Sequence, residues 1–313
     1  VRVGSLAEQA VSPSLSQDKE ECWQATLIEP NEIAMAKKKP HVAISYDFDG
    51  TLAPGNMQEH SFISSIKMKK RDFWAEVARL SEEHQADNIL VYLGLMIEKA
   101  DQANVRFGKR DFVELGKKLE LFPGVVEWFD RINKYGDEAG VKVDHYIISS
   151  GVREIIEGSA IGRKFNRIYA SGYWYDQNGV AKWPAMAINY TTKTQYLFRI
   201  NKGTLDVHDH KIVNEFVPKS ERPVPFENMI YIGDGETDVP CFRLVKDQGG
   251  HSISVYRPRD RKAKATSEKL LSEGRVNFAA PANHQDGNSL DQLVKGIIDK
   301  IAADQYLYRL GKL

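Results

Sequence analysis

The chain has 313 residues, 42% of them apolar and 27% charged, enough for a large packed core and a smaller module. Lys and Arg number 43 against 43 Asp and Glu, so net charge gives no reason to expect nucleic acid or an anionic membrane as partner. The two cysteines, Cys22 and Cys241, lie far apart and no apolar run approaches the about 18 residues of a membrane span, which argues against a disulfide framework and a membrane protein and for a cytoplasmic one.

Residues 1–38 are polar and aperiodic, as in "SPSLSQDKEE", and read as a disordered leader outside the fold; Met35 stands just before the first strand. "HVAISYDFD" is a short apolar run between Pro40 and Gly50, the pattern of a buried parallel strand. From 56 to 119 the texture is helical, as in "RDFWAEVARLSEEH", "NILVYLGLMIEKADQA" and "KRDFVELGKKLEL", and no strand signal interrupts it. "FPGVVEWFDRINKYG" reads as a helix with Pro123 near its start and Gly136 after its end.

"VDHYIISSG" is a second buried strand, ending in hydroxyls. Two aromatic-rich runs around Gln177-Asn178-Gly179 predict a hairpin, with Tyr173 and Trp174 read as core. "TKTQYLFRI" reads as a helix, "NMIYIGDGETD" as a third buried strand and "HSISVY" as a fourth. "SLDQLVKGIIDKI" closes the series as a helix. Strands alternating with helices predict an α/β fold, a Rossmann-like core with a mostly parallel sheet and a helical module inserted after the first strand. The expected division is a core of 39–55 and 120–313 and a module of 56–119. Ligands of such sheets sit outside the carboxyl ends of the strands, where Asp47, Ser149 and Asp234 all fall.

Asp-Gly-Thr alone is a common turn, and a lone Ser, Lys or polar loop has an equally ordinary reading as a cap or a solvated charge. Their order along the chain carries more. Asp47-x-Asp49-Gly-Thr51 is followed by "IISSG", then "TTKTQ", then "IGDGETD" with Asp234 and Asp238. This order resembles the haloacid dehalogenase superfamily of phosphohydrolases, and its phosphoserine-phosphatase-like branch in particular.

The resemblance implies that Asp47 attacks phosphorus and that Asp49 first protonates the leaving alcohol and then activates water. It implies a Mg2+ ion on Asp47, Asp49 (through its backbone carbonyl) and Asp234, with Asp238 in support. Thr51, Ser149 and Lys193 would bind the phosphoryl oxygens; Ser150 and Lys202 are the alternatives to the last two. The module at 56–119 would be a cap over a small phosphorylated substrate, with Asn56, Gln58, Glu59, Tyr92 and Glu98 as specificity candidates. A phosphotransferase, or a non-catalytic metal- or phosphate-binding regulator, would share these motifs. Two further features, "DVHDHK" with His208 and His210 and the basic run 257–265, are read as a solvated loop and a solvated helix face.

Overall fold

The computed structural model describes residues 39–60 and 62–311; the leader expected at 1–38 lies outside them. The sheet has seven strands: β1 His41–Tyr46, β2 Lys142–Val152, β3 Arg167–Tyr175, β4 Ala181–Met186, β5 Met229–Gly233, β6 His251–Tyr256 and β7 Phe278–Pro281. Their order is β4-β3-β2-β1-β5-β6-β7, parallel throughout except for the antiparallel β3–β4 pair at one edge. The expected α/β core with a mostly parallel sheet is therefore present.

β1 is central because its side chains suit burial on both faces. Val42, Ile44 and Tyr46 face one apolar core with Trp128, Phe129, Leu290 and Val294. Ala43 faces the other, with Leu197, Tyr231, Cys241 and Phe242. The first core is covered by the helices Val125–Glu138 and Ser289–Leu310, the second by Lys193–Lys202, Val239–Asp247 and Arg261–Ser272. The chain leaves β1 toward β2 on one side and reaches β5 on the other, so connections diverge at its carboxyl end. That divergence opens a crevice where Asp47 begins.

Among the described residues, five helices fill the stretch between β1 and Val125–Glu138: Met57–His60, Phe62–Ser65, Lys70–His84, Asn88–Gln102 and Lys109–Gly116. Asp87 caps the fourth, its carboxylate accepting from Ile89 N at 2.9 Å and Leu90 N at 3.0 Å. That helix is tied to the sheet through Tyr173, whose hydroxyl donates to the Leu93 carbonyl at 3.1 Å. Asn189 reaches it as well, donating to Asp87 Oδ2 at 2.6 Å.

Some local readings change. Gly136 lies inside its helix, which runs on to Glu138; a Cβ there would stand 2.5 Å from Val143 Cγ2, so the glycine marks close helix-on-strand packing rather than a stop. Trp174 is 60% exposed and stacks on Trp183, while Tyr173 is buried, because neighbours on a strand face opposite ways. "DVHDHK" is not wholly loop, since His210 opens a short helix to Asn214 capped by Asp209. In the basic run the helix starts only at Arg261, with Asp260 as its cap. The short edge strand β7 gave no sequence signal.

His145 and His284 are almost wholly buried against the first core. His145 links Tyr46 and Asn133 through its ring nitrogens, at 3.0 and 3.1 Å, whereas neither ring nitrogen of His284 has a partner among the described residues. His284 is fully buried with its ring edge-on to Trp128, and burial, with Arg131 adding to it, lowers its pKa from 6.5 to about 3. The unfolded chain thus takes up this proton first. Stability is held above pH 6.5 and lost as pH falls toward 3, by about 1.4 kcal/mol per pH unit. His284→Leu is expected to gain about 2 kcal/mol on wild type in going from pH 7.5 to pH 5, read by urea unfolding at both values. An unchanged difference would mean that His284 is protonated in place.

Candidate active site

The β1–β5 ladder continues one residue past β1, with Asp47 N donating to the Ile232 carbonyl at 2.9 Å. This places Asp47 at the sheet edge beside Asp234, which follows β5. The Phe48 side chain between the two aspartates is fully buried, and its carbonyl accepts from Leu52 N and Ala53 N, turning the chain sharply. The turn needs Gly50, with φ +74°, for two reasons. The backbone is left-handed there, and a Cβ would fall 1.9 Å from Asp234 Oδ2.

Asp49 Oδ1 accepts from Met57 N at 2.9 Å, so the start of the helical insertion holds this carboxylate. On β2 the pairing with β3 shifts between Ser149 and Val152, bulging Ser150 and Gly151 out of register. A Cβ on Gly151 would lie 2.2 Å from Met57 Cε and 3.2 Å from Asp49 Oδ2, so its bare backbone lets both approach. Ser149 is buried and its Oγ accepts from Gly151 N at 3.1 Å; the Ser150 carbonyl accepts from the Tyr92 hydroxyl.

Lys193 opens its helix after Asn189, whose Oδ1 accepts from Thr192 N at 3.1 Å. The Lys193 Nζ is buried, 2.7 Å from Asp238 Oδ1 and 3.1 Å from Asp47 Oδ1. Lys202 lies elsewhere, donating to the carbonyls of Val213 and Glu215. Asp238 is fully buried and fully engaged. Its Oδ1 also accepts from the Tyr231 hydroxyl at 2.7 Å, and its Oδ2 from Asp234 N at 3.2 Å. Tyr231 was not singled out from the sequence. The signal was there, a hydroxyl in the otherwise aliphatic strand "MIYIG" that burial obliges to find a partner.

Burial raises Asp47 to about 6 although Lys193 pulls it down. Asp49 and Asp234 are raised well above the usual carboxylate range, by burial first and then by the neighbouring carboxylates Asp47 and Asp238 respectively. Burial alone would lower Lys193, but Asp238 and Asp47 together hold it raised. One cation shared among four carboxylates leaves the site short of positive charge. Asp47, Asp234 and Asp238 each bring an oxygen within 4.8 Å of the other two, the spacing of a cation site. Because Asp238 is spent on Lys193, Tyr231 and the Asp234 amide, Asp47 and Asp234 are the carboxylates of that trio with coordinating capacity to spare.

A cavity of about 680 Å3 opens over these groups, and Asp47, Asp49, Ser149, Ser150 and Asp234 lie on its wall. Of the specificity candidates, Asn56, Gln58 and Tyr92 line it. Glu59 is instead held by Trp74 Nε1 and Asn56 Nδ2, both at 2.9 Å, and Glu98 pairs with Gln102 on an exposed face. Thr51 is fully buried behind the wall with its hydroxyl unpartnered, so the turn does not bring it to the cavity. Arg257, from the basic run taken as solvated, does reach the cavity rim.

The model of the haloacid dehalogenase-like hydrolases matches residues 44–243. The chain belongs to this family. An uncharacterized protein of Borreliella burgdorferi is 31% identical over 283 residues, covering 82% of this chain and 96% of that one. A solved haloacid dehalogenase family hydrolase from Salmonella enterica serovar Typhi superposes with a TM-score of 0.53 at 14% identity, covering 85% of this chain and 77% of the other. A substrate-bound phosphoserine phosphatase superposes with a TM-score of 0.51 at 12% identity, covering 82% and 99%. At such identities these two likenesses concern the fold. For a haloacid dehalogenase-like hydrolase, the matched span takes in both aspartates of the first motif, Ser149, Lys193, Asp234 and Asp238. Hydrolase chemistry is the activity this membership supports.

Proposed function

We propose that the protein is a Mg2+-dependent phosphatase that hydrolyses a small phosphorylated metabolite through an aspartyl-phosphate on Asp47. The observation that carries this reading is the convergence of Asp47, Asp49 and Asp234 on one cavity, with the buried Lys193 Nζ behind the wall 3.1 Å from Asp47 Oδ1. The donor set is all oxygen and deficient in positive charge, which fits a hard divalent cation. Asp47, Asp234 and the backbone carbonyl of Asp49 would hold it, and Asp238 would act as the strut that fixes Lys193 and the Asp234 backbone. When bound, Mg2+ offsets the charge of both phosphoryl group and carboxylates, letting two anions meet.

In the first step an Asp47 oxygen bonds to phosphorus while the bond to the ester oxygen breaks. Asp49, raised toward its protonated form and held by Met57 N–H, gives its proton to the departing oxygen. In the second, water attacks phosphorus, Asp49 takes the proton back and Asp47 is released. Ser149 and Lys193 would hold the phosphoryl oxygens, Lys193 countering the charge spread over them. Residues 56–119 would act as the cap that excludes bulk water from a core of 39–55 and 120–313. Among the described residues no helix is long and apolar enough to cross a membrane.

The test is phosphate release from p-nitrophenyl phosphate and a panel of phosphorylated metabolites, with Mg2+ or EDTA. Turnover in Mg2+, falling at least about 100-fold in EDTA and restored by added Mg2+, is expected. Equal rates in EDTA would remove the metal from the mechanism. No release from any compound by folded, Mg2+-supplied protein would favour a regulatory role.

A further inference from the structure

Asp49, Ser149 and Lys193 come from three separate segments outside the helical insertion, and the insertion meets each of those segments by a hydrogen bond. Met57 N–H holds Asp49 Oδ1 at 2.9 Å. The Tyr92 hydroxyl donates to the Ser150 carbonyl, next to Ser149. The third link runs through Asp87 and Asn189 to the start of the helix that carries Lys193.

That third link joins two helix starts. Asp87 caps Asn88–Gln102 with Oδ1, which accepts from Ile89 N and Leu90 N, and its Oδ2 accepts from Asn189 Nδ2 at 2.6 Å. Asn189 in turn closes the turn before Lys193–Lys202. Its Oδ1 accepts from Thr192 N at 3.1 Å, its own N–H donates to Thr192 Oγ1 at 2.8 Å, and its carbonyl accepts from Lys193 N at 3.1 Å. The Asn189 amide has one orientation that satisfies both sides, since a backbone N–H can only donate and a carboxylate can only accept. Beside it, Asn88 Nδ2 donates to the Tyr190 hydroxyl at 2.8 Å, and both of these residues lie on the cavity wall. The two adjacent pairs close the seam between the insertion and the segment that leads to Lys193.

What lies on either side of Asn189 makes this link more than a seat for the insertion. Ile188, before it, is fully buried with its N–H held by Ser171 Oγ at 3.0 Å, which anchors the chain to the sheet. After it, the Lys193 amide is bonded to Asn189 itself, so a displacement of Asn189 passes directly into the first turn of the lysine helix. The Lys193 Nζ has little room to absorb it, lying 3.1 Å from Asp47 Oδ1 and 2.7 Å from Asp238 Oδ1 in a fully enclosed position. A misplacement of about 1 Å at such a group costs up to about 100-fold in rate. Building on the phosphatase reading above, we propose that Asn189 is a positioning residue, whose bond to Asp87 couples the seating of the insertion over the cavity to the placement of Lys193 against Asp47.

The experiment measures kcat and KM for p-nitrophenyl phosphate in Mg2+ with wild type, Asp87→Asn, Asn189→Asp and the double variant carrying both. Each single substitution keeps an oxygen to cap its own helix but sets like against like across the link, two amide donors in Asp87→Asn and two carboxylates in Asn189→Asp. The double variant restores one donor to one acceptor with the roles reversed. Each single variant is expected to lose about tenfold in kcat with KM within about threefold, the mark of an interaction used in the transition state. The double variant should recover kcat to within about threefold of wild type. Asp87→Ser, whose one oxygen caps the helix and leaves none for Asn189, should show the same loss without opposed groups. Thermal melts establish that each protein is folded at the assay temperature. Single variants that melt lower but keep wild-type kcat would make the link a structural seat and overturn the proposal. A double variant no better than the singles would overturn it too, and in both cases the phosphatase reading stands. Wild type that turns over no compound removes that reading and this proposal with it.

Discussion

Asp47→Asn is expected to abolish Mg2+-dependent phosphate release, by at least about 10⁴-fold in kcat/KM, while melting no lower than wild type in EDTA. The kinetic half follows from the role proposed for Asp47, because an amide oxygen is too weak a nucleophile to displace an alcohol from phosphorus. The stability half follows from the crowding around it. Asp47 is 6% exposed, shares Lys193 with Asp238, and is raised to about 6 by burial. A carboxyl whose pKa is raised on folding destabilises the native state at pH values above that pKa. Here the cost is about 3 kcal/mol near pH 8 in metal-free protein, and it is relieved as pH falls toward 3.8. Asparagine removes the charge and still leaves Lys193 paired with Asp238. Phosphate release and thermal melts of the two proteins in EDTA supply the check. A variant that keeps turning over would sink the nucleophile assignment, and one that melts well below wild type would show Asp47 to be a structural group.

Lys193→Met should lower stability and activity together, by about 3–5 kcal/mol and about 10³-fold. The Nζ is 1% exposed and lies between two carboxylates, so Met fills a similar space while removing the cation that serves both. Asp238 keeps only the Tyr231 hydroxyl and the Asp234 amide, and Asp47 loses the group that does most to pull its pKa down. Lys202→Met is the contrasting control. Lys202 serves only the carbonyls of Val213 and Glu215, away from the cavity, so its loss should leave kcat within about twofold. Urea unfolding and steady-state kinetics on both variants decide between them. Equal behaviour of the two would mean that the buried pairing of Lys193 contributes little.

Some of this was legible in the chain because it is local. "HVAISY", "YII" and "MIYIG" are short runs that suit a strand buried on both faces, and each is followed at once by a polar residue, Asp47, Ser149 or Asp234. Parallel strands share a carboxyl edge, so Asp47, Ser149 and Asp234 had to meet once the sheet formed. The choice of Lys193 over Lys202 also had a local basis, its position at the start of a helix.

What the chain alone left open depends on which surface meets which. Tyr231 became part of the site because Asp238 turned back onto β5, and Gly50 and Gly151 because Asp234, Met57 and Asp49 approach them from other segments. Gly136 reads as a stop until Val143 is seen against it, and Trp174 reads as core until the strand alternation fixes its face. Thr51 shows the reverse, a motif residue that its turn buries behind the wall. By itself the sequence determined the central strands, their order of motifs and the carboxylates at one edge, since hydrophobic periodicity and strand direction are properties of neighbouring residues. Only the tertiary structure decided which side chains reach the cavity and what faces the leaving group, because the helical insertion and the sheet edge meet across separations the chain cannot encode locally.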